Sequence, residues 1–551
     1  MRNMIMRWVV GGSVVLAFVM ATTRGAEAAG GAKRPNVVFI LADDMGFSDL
    51  GCYGGEIATP NVDRLAKQGL RFTQCYNTAR CWPSRAAFLT GYYPQQVNRD
   101  PAAQRPRWAA LLPQLLKPAG YRSYHSGKWH VDGPVLEGGF ARSYHLEDTD
   151  RSFSPRVHSL DDVRLPQVGP NEAYYSTRAI AEHALNWLSE HESKYRDDPF
   201  FLYVAFTSPH FPIQALPEDI ARYRGRYKEG WDRIRRERWE RQRSLGIVDG
   251  PLSDRDPRTI PDWNVSEDEL KQKIGAGEAG YAVAWDELAD EQKRFQAAKM
   301  EIHAAMVDRI DREIGRIVAK LEASGQLENT IILVATDNGA SAEQLIRGDG
   351  HDPAASPGSA KSFLCLGPGW STAANTPFRL HKSWVHEGGI STPLIVHWPA
   401  GIKAKGELRH TPAHFVDFVP TLLELAGATA PSTWNDEARP PLSGRSLVPA
   451  FAKDVEIDHE FLFFKHIGNR GLRVGDWKIV AVKDGPWELY NLANDRAESN
   501  NLAADHPEKV KELVAIWTRY DGEYQRQGAT GEPLPKAAAR KKAAGSANKL
   551  P

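Results

Sequence analysis

Cysteine is scarce in this chain: four among 551 residues, Cys52, Cys75, Cys81 and Cys365. So few thiols exclude a disulfide framework; at most one bridge is expected, and Cys81 need not belong to it. No Cys-x-x-Cys or Cys/His spacing suggests zinc. An excess of one charge is also missing. Lys+Arg and Asp+Glu both total 69, so no global field favours nucleic acid or an anionic membrane. An anionic substrate would have to find its cations locally. Long apolar runs are absent after the N-terminus. There, MRNMIMR followed by WVVGGSVVLAFVMA and the small-x-small signature Ala26-Glu27-Ala28 reads as a secretory signal rather than a membrane span. The expectation is a signal peptide over 1–28, no stable membrane anchor, and a periplasmic or extracellular protein.

What the chain does have is a series of apolar runs that stop at polar clusters. NVVFIL (36–41) ends in Asp43-Asp44, PFFLYVAF (199–206) in TSPH with His210, and TIILVA (330–335) in Asp337-Asn338; TPLIVHW (392–398) follows KSWVHEGG. Such runs suit strands of a parallel sheet buried on both faces. Helical patterns lie between them at 61–69, 173–191 and 295–325. The fold class is therefore α/β, a large mostly parallel central sheet flanked by helices, with ligands bound beyond the strand ends. A catalytic domain is expected over 33–426, with a charged insertion at 222–294 presenting a solvated face. A Pro/Gly/Ser-rich linker (427–446) leads to a smaller C-terminal α+β domain (447–535) with an antiparallel sheet. A basic, low-complexity tail (536–551) follows.

If the strands ending in Asp43-Asp44 and Asp337-Asn338 are neighbours, three carboxylates and an amide converge. Converging carboxylates repel unless a cation neutralises them, and hard oxygen ligands suit Ca²⁺ or Mg²⁺ rather than zinc or copper. A second set is cationic: Lys128 and His130 in GKWH, His210 in TSPH, and Lys382 with His386 as its neighbouring alternative. Such groups suit a sulfate or phosphate ester. His351 and His466 read as ordinary loop histidines. Cys81 stands in ARCWPSRAAFLTG, where Pro83 is well placed as the first residue of a helix, with Cys81 just before its N-terminus. A thiolate there is a poor companion for a hard cation, because soft sulfur ligates Ca²⁺ weakly. An oxygen nucleophile fits better, and the residues alone go no further.

The stretch Cys81-Trp82-Pro83-Ser84-Arg85 with AAFLTG resembles the signature of the type I sulfatases, in which the cysteine is oxidised to Cα-formylglycine. RPNVVFILADDMGFSDLGCYGG, YHSGKWH, SPHFP, ATDNG, HEGGISTPLIVHWP and ELYNLANDRAESNNLA extend the resemblance over most of the chain. The resemblance is to arylsulfatase-like members of the alkaline phosphatase superfamily. It implies an alkaline-phosphatase-like fold and one Ca²⁺ held by Asp43, Asp44, Asp337, Asn338 and the modified Cys81. One hydroxyl of the formylglycine hydrate, ionised against Ca²⁺ and Arg85, attacks sulfur. Lys128 bridges sulfate and the formylglycine, His210 and Lys382 assist the leaving oxygen, and His130 takes the proton that releases sulfate. The implied substrate is a sulfated small molecule or glycan, and the implied maturation partner a formylglycine-generating enzyme. A phosphonate monoester or phosphodiester hydrolase with the same nucleophile is the rival enzyme, and an inactive binder of sulfated glycans the rival from another class.

Overall fold

The structure, a computed structural model, describes residues 33–530 apart from Pro101 and Asn171. The expected signal peptide and basic tail lie outside these residues. Eleven strands form the main sheet: β1 (Asn36–Asp43), β2 (Leu70–Tyr76), β3 (Arg122–Gly127), β4 (Arg142–Leu146), β5 (His158–Leu160), β6 (Val163–Arg164), β7 (Phe200–Pro209), β8 (Thr330–Thr336), β9 (Ser391–His397), β10 (Glu407–Arg409) and β11 (Ala413–His414). Their order is β10-β2-β9-β8-β1-β7-β3-β4-β5-β6, with β11 also on β2. From β8 to β4 all pairs are parallel: Val38 lies opposite Ile332 on one side and Leu202 on the other. All ten residues of β7 are buried, which accounts for its unbroken apolar run, since both faces are covered.

Alternate side chains of β1 feed two cores. Val38 and Ile40 pack with Ile180, Ile310 and Ile314 from the helices Ser176–Lys194 and Asp290–Ala323. Val37, Phe39 and Leu41 pack on the opposite face with Phe88 and Phe418. The Phe39 and Phe88 rings stack with centroids 3.9 Å apart, fixing the helix Cys81–Thr90 against the strand that carries Asp43.

The strand over TPLIVHW departs from the parallel reading. β9 runs antiparallel to both β8 and β2. An antiparallel strand brings its leading loop, not its trailing one, to the edge where its neighbours end. That is how residues 381–389 reach the end of β8. Gly339 and Gly388 let the two loops meet, because a Cβ on Gly339 would stand 1.9 Å from the Gly388 carbonyl oxygen.

The charged 222–294 stretch is only partly a solvated excursion. Its helix Gly230–Ser244 turns Arg238 into the core, where Arg238 pairs with Asp49 (2.7 Å) and Glu56 (2.8 Å), and Trp231 packs on Trp285 and Trp370. The expected linker contains a short hairpin of β12 (Thr433–Trp434) and β13 (Glu437–Ala438). Four antiparallel strands follow, β14 (Leu462–His466), β15 (Asn469–Val474), β16 (Trp477–Ala481) and β17 (Glu488–Asn491), and then the helix Pro507–Ala529. Phe463, Leu472, Ile479 and Leu489 of this sheet join the same apolar cluster as Phe39.

Candidate active site

The site lies where β1, β8 and β7 end. Asp43 closes β1, and Asp44, with a left-handed backbone (φ 65°), turns away from it. Asp337 and Asn338 follow β8 directly. Because β1 and β8 are parallel neighbours in register, these pairs meet: Asn338 Nδ2 donates to Asp44 Oδ1 at 2.6 Å, and the Asp44 amide donates to Asp337 Oδ1 at 3.4 Å. Asp43 Oδ1 and Asn338 Oδ1 are buried with no hydrogen-bond donor. Ligand atoms of Asp43, Asp44 and His210 lie within 4.8 Å of one another.

The helix carrying Cys81 begins two residues earlier than Pro83 suggests. Its N-cap is Arg80 and Cys81 is its first residue, so Pro83 stands in the first turn. Pro is tolerated there because that turn's N–H groups have no helical acceptor. The next turn places Arg85 beneath the acidic pairs. Arg85 donates from Nε (3.0 Å) and Nη2 (2.7 Å) to Asp337 Oδ2, and Nη2 lies 3.6 Å from Asp43 Oδ2. Lys128, just after β3, reaches Asp43 Oδ2 at 2.5 Å. Lys382, from the loop leading into β9, donates to Asp44 Oδ2 (2.9 Å) and Glu343 Oε2 (2.8 Å).

Electrostatics separates the two outer carboxylates. Burial and the neighbouring Asp43 charge push the Asp337 carboxyl well above the usual range, against Arg85 and Lys128. For Asp43, burial is outweighed by Lys128, His210 and Arg85, which hold it below that range. Without a cation one carboxylate of this set prefers a proton; with one, all three can stay ionised. Two donor-free buried oxygens beside them fit a hard cation well.

Burial raises the Cys81 thiol, so the residue offers no thiolate at neutral pH. All four cysteines are free. His210 donates Nδ1–H to the Phe211 carbonyl, leaving Nε2 3.7 Å from Asp44 Oδ2, and burial pushes its pKa down to about 4. His130 opens to the cavity from a left-handed backbone (φ 55°) and meets Trp82 edge-on at 5.7 Å. The walls around it, with the Lys128 and Arg85 charges, hold it far below the usual imidazole range.

Cys81, Lys128, His130, His210 and Lys382 all line one cavity of about 1030 Å³. His386 does not: it is buried against Glu488 (3.4 Å). His466 is buried behind Trp82 and paired with Asp100 (3.1 Å), and His351 accepts from the Phe363 amide. The sequence reading missed Glu343. This buried acid holds Lys382 and also Arg80 (3.0 Å), and accepts from Trp263 Nε1 (2.8 Å). In GASAEQL nothing marks it, because its partners lie far away along the chain.

The sulfatase family model matches residues 35–428, well over half of the chain. The chain belongs to the sulfatase family. A second family model, N-sulphoglucosamine sulphohydrolase, C-terminal, matches residues 378–519 of this sulfatase. It is 33% identical to an uncharacterized sulfatase of Schizosaccharomyces pombe, covering 92% of this chain and 96% of that one. It is 29% identical to an arylsulfatase of Klebsiella aerogenes over 79% and 96% of the two chains. In fold it matches Ps i-CgsB, solved in complex with k-i-k-neocarrahexaose (TM-score 0.64, 23% identity, 91% and 95% coverage). It also matches a protein solved with its substrate D-glucosamine-2-N,6-O-disulfate (TM-score 0.62, 23% identity, 90% and 99% coverage). The protein is thus a sulfuric ester hydrolase with the mostly parallel sheet and C-terminal antiparallel sheet of that family. Sulfatases of this family generally use a formylglycine and a divalent metal.

Proposed function

We infer that the chain hydrolyses a sulfate monoester, of an aryl alcohol or a sulfated carbohydrate, through a formylglycine made from Cys81, with Ca²⁺ at the acidic strand ends. The observation that carries this reading is the burial, in one place, of Cys81, three carboxylates, the Asn338 amide and two lysines, with Asp43 Oδ1 and Asn338 Oδ1 left without donors. Asp43, Asp44, Asp337 and Asn338 would hold the cation, which would supply Lewis acidity toward sulfate oxygens. An aldehyde in place of the thiol would supply, as its hydrate, an attacking hydroxyl and a second hydroxyl whose deprotonation releases sulfate.

The chain's own residues have distinct tasks in this scheme. Arg85, fixed by two bonds to Asp337 Oδ2, anchors the floor beneath Cys81. Lys128 and Lys382, both buried and paired to the acidic set, present positive charge to sulfate without a reorganisation cost. His130, exposed at the cavity wall, is placed to take up a proton. His210, with Nδ1–H committed to Phe211, leaves Nε2 3.7 Å from Asp44 Oδ2, an oxygen with no proton to donate to it. Lys382, buried but held charged by Asp44 and Glu343, is therefore the residue of that pair able to donate a hydrogen bond to a leaving oxygen.

Mass spectrometry of the peptide spanning Cys81, in enzyme active on aryl sulfate, should find the aldehyde. Finding only the thiol in fully active enzyme rules the scheme out. Chelation should remove turnover and Ca²⁺ restore it. Faster turnover of phosphodiesters than of sulfates would favour the rival reaction.

A further inference from the structure

The cavity is longer than a sulfate group needs. It runs from Cys81 to the ends of β4 and β5, and β4 lies three strand spacings from β1, a span of about 14 Å. Its two ends differ in charge. Arg80, Lys128 and Lys382 gather at the Cys81 end, and Arg347 lies over Phe211 (5.3 Å). The far wall is built from the 131–137 loop and the ends of β4 and β5. It presents Pro134 and Leu136 beside Glu137, Glu147, Asp161 and Asp162, and no Lys or Arg among its lining residues.

Two of these acids are already satisfied: Asp161 pairs with Arg142 (2.9 Å), and Asp162 accepts from the Val135 and Leu136 amides. The other two are exposed and stay uncompensated. Among the described residues Glu137 has no ion pair, and the one ion-pair partner of Glu147 is His145 at 3.8 Å. Burial pushes His145 down to about 4, so it carries no charge to offset Glu147 at neutral pH. An anionic group placed against this wall would meet like charge, with Arg347 across the cavity the nearest lining cation beyond it.

We propose that this far wall selects monosulfate esters whose leaving group is uncharged or cationic, and rejects leaving groups bearing a second anion. The proposal rests on the sulfatase reading of the same cavity. Apolar Pro134 and Leu136 take the body of the leaving group, and Glu137 and Glu147 set its permitted charge.

The test compares three phenyl sulfates, bearing trimethylammonium, no substituent or carboxylate, together with glucosamine 6-O-sulfate and D-glucosamine-2-N,6-O-disulfate. In kcat/KM the cationic and neutral esters should exceed the anionic ones about tenfold or more. That gap should shrink in high salt, since both glutamates are exposed. Glu137→Gln with Glu147→Gln should narrow the gap by raising turnover of the anionic esters, with thermal stability unchanged. Equal or better turnover of the carboxylate and disulfate substrates, or an unchanged gap in the double variant, overturns the proposal. Calorimetric binding of the same esters to Cys81→Ala reads the preference without chemistry. Absence of all turnover with the ranking preserved in binding would therefore defeat the sulfatase scheme and support the charge selection.

Discussion

At the scale of single residues, position along the chain says little about which of two neighbours works. Lys382 and His386 stand four apart in one loop, and both have the chemistry to assist a sulfate ester. The structure buries Lys382 between Asp44 and Glu343 and turns His386 to Glu488 on the far side. Lys382→Met should cut turnover by about 10²–10³-fold, the usual loss when a preorganised charge is removed. His386→Gln should leave turnover within about threefold, which steady-state kinetics on an aryl sulfate would separate. Equal losses in both variants would contradict this assignment. Glu343 gives the converse lesson. It holds Lys382 and Arg80, and no local pattern in the sequence encodes a contact with residues so distant.

At the scale of elements, the apolar runs over β1, β7 and β8 announce buried strands, and the polar residues at their ends announce the site. The direction of β9 is not announced, because an unbroken run of buried residues looks the same in either orientation. The start of the Cys81 helix moves for a similar reason: Pro is accepted anywhere in a first turn, so Pro83 bounds the helix start without fixing it. One helix borrows its cap. Pro60–Gln68 has no side-chain cap of its own at Thr59, and Asp311 of the long helix Asp290–Ala323 accepts from the Asn61 and Val62 amides instead (3.2 and 2.8 Å). Burial pushes the Asp311 carboxyl up to about 6, so it is ionised in neutral buffer. Asp311→Ala should lower unfolding free energy by about 1–2 kcal/mol, as loss of a cap does, with Km for aryl sulfate unchanged. Urea denaturation measures this, and an unaltered midpoint would refute the cap.

At the scale of the molecule, the C-terminal sheet is tied to the catalytic loops by buried charge as well as by apolar packing. Lys478 of β16 lies 2.9 Å from Glu387 and 2.8 Å from Glu498, and Arg496 reaches Glu387 at 3.1 Å. Burial alone would raise the Glu387 carboxyl, but Lys478 and Arg496 outweigh it and hold it below the usual 4.5. Glu488, where burial is outweighed by His386, is lowered to about 2. Folded carboxyls with depressed values take up protons later than unfolded ones. Their stabilisation is therefore complete above about 4.5 and is lost as pH falls toward 2. Acid titration of tryptophan fluorescence should show unfolding in that window. Glu387→Gln should weaken the pH dependence while lowering stability at pH 7 by about 3 kcal/mol, since a buried cation loses a partner. A variant with an unchanged acid profile would exclude this lock. The family signature around Cys81 and the acidic and basic residues proposed for the site were legible in the sequence, because each is a local pattern of residue types at short spacing. Which strand runs backwards, which loop residue faces the cavity, which acid steadies the lysine and which charges line the far end of the cavity were decided only by the tertiary structure. Those are relations between distant segments, and only the sheet brings them within a few ångströms.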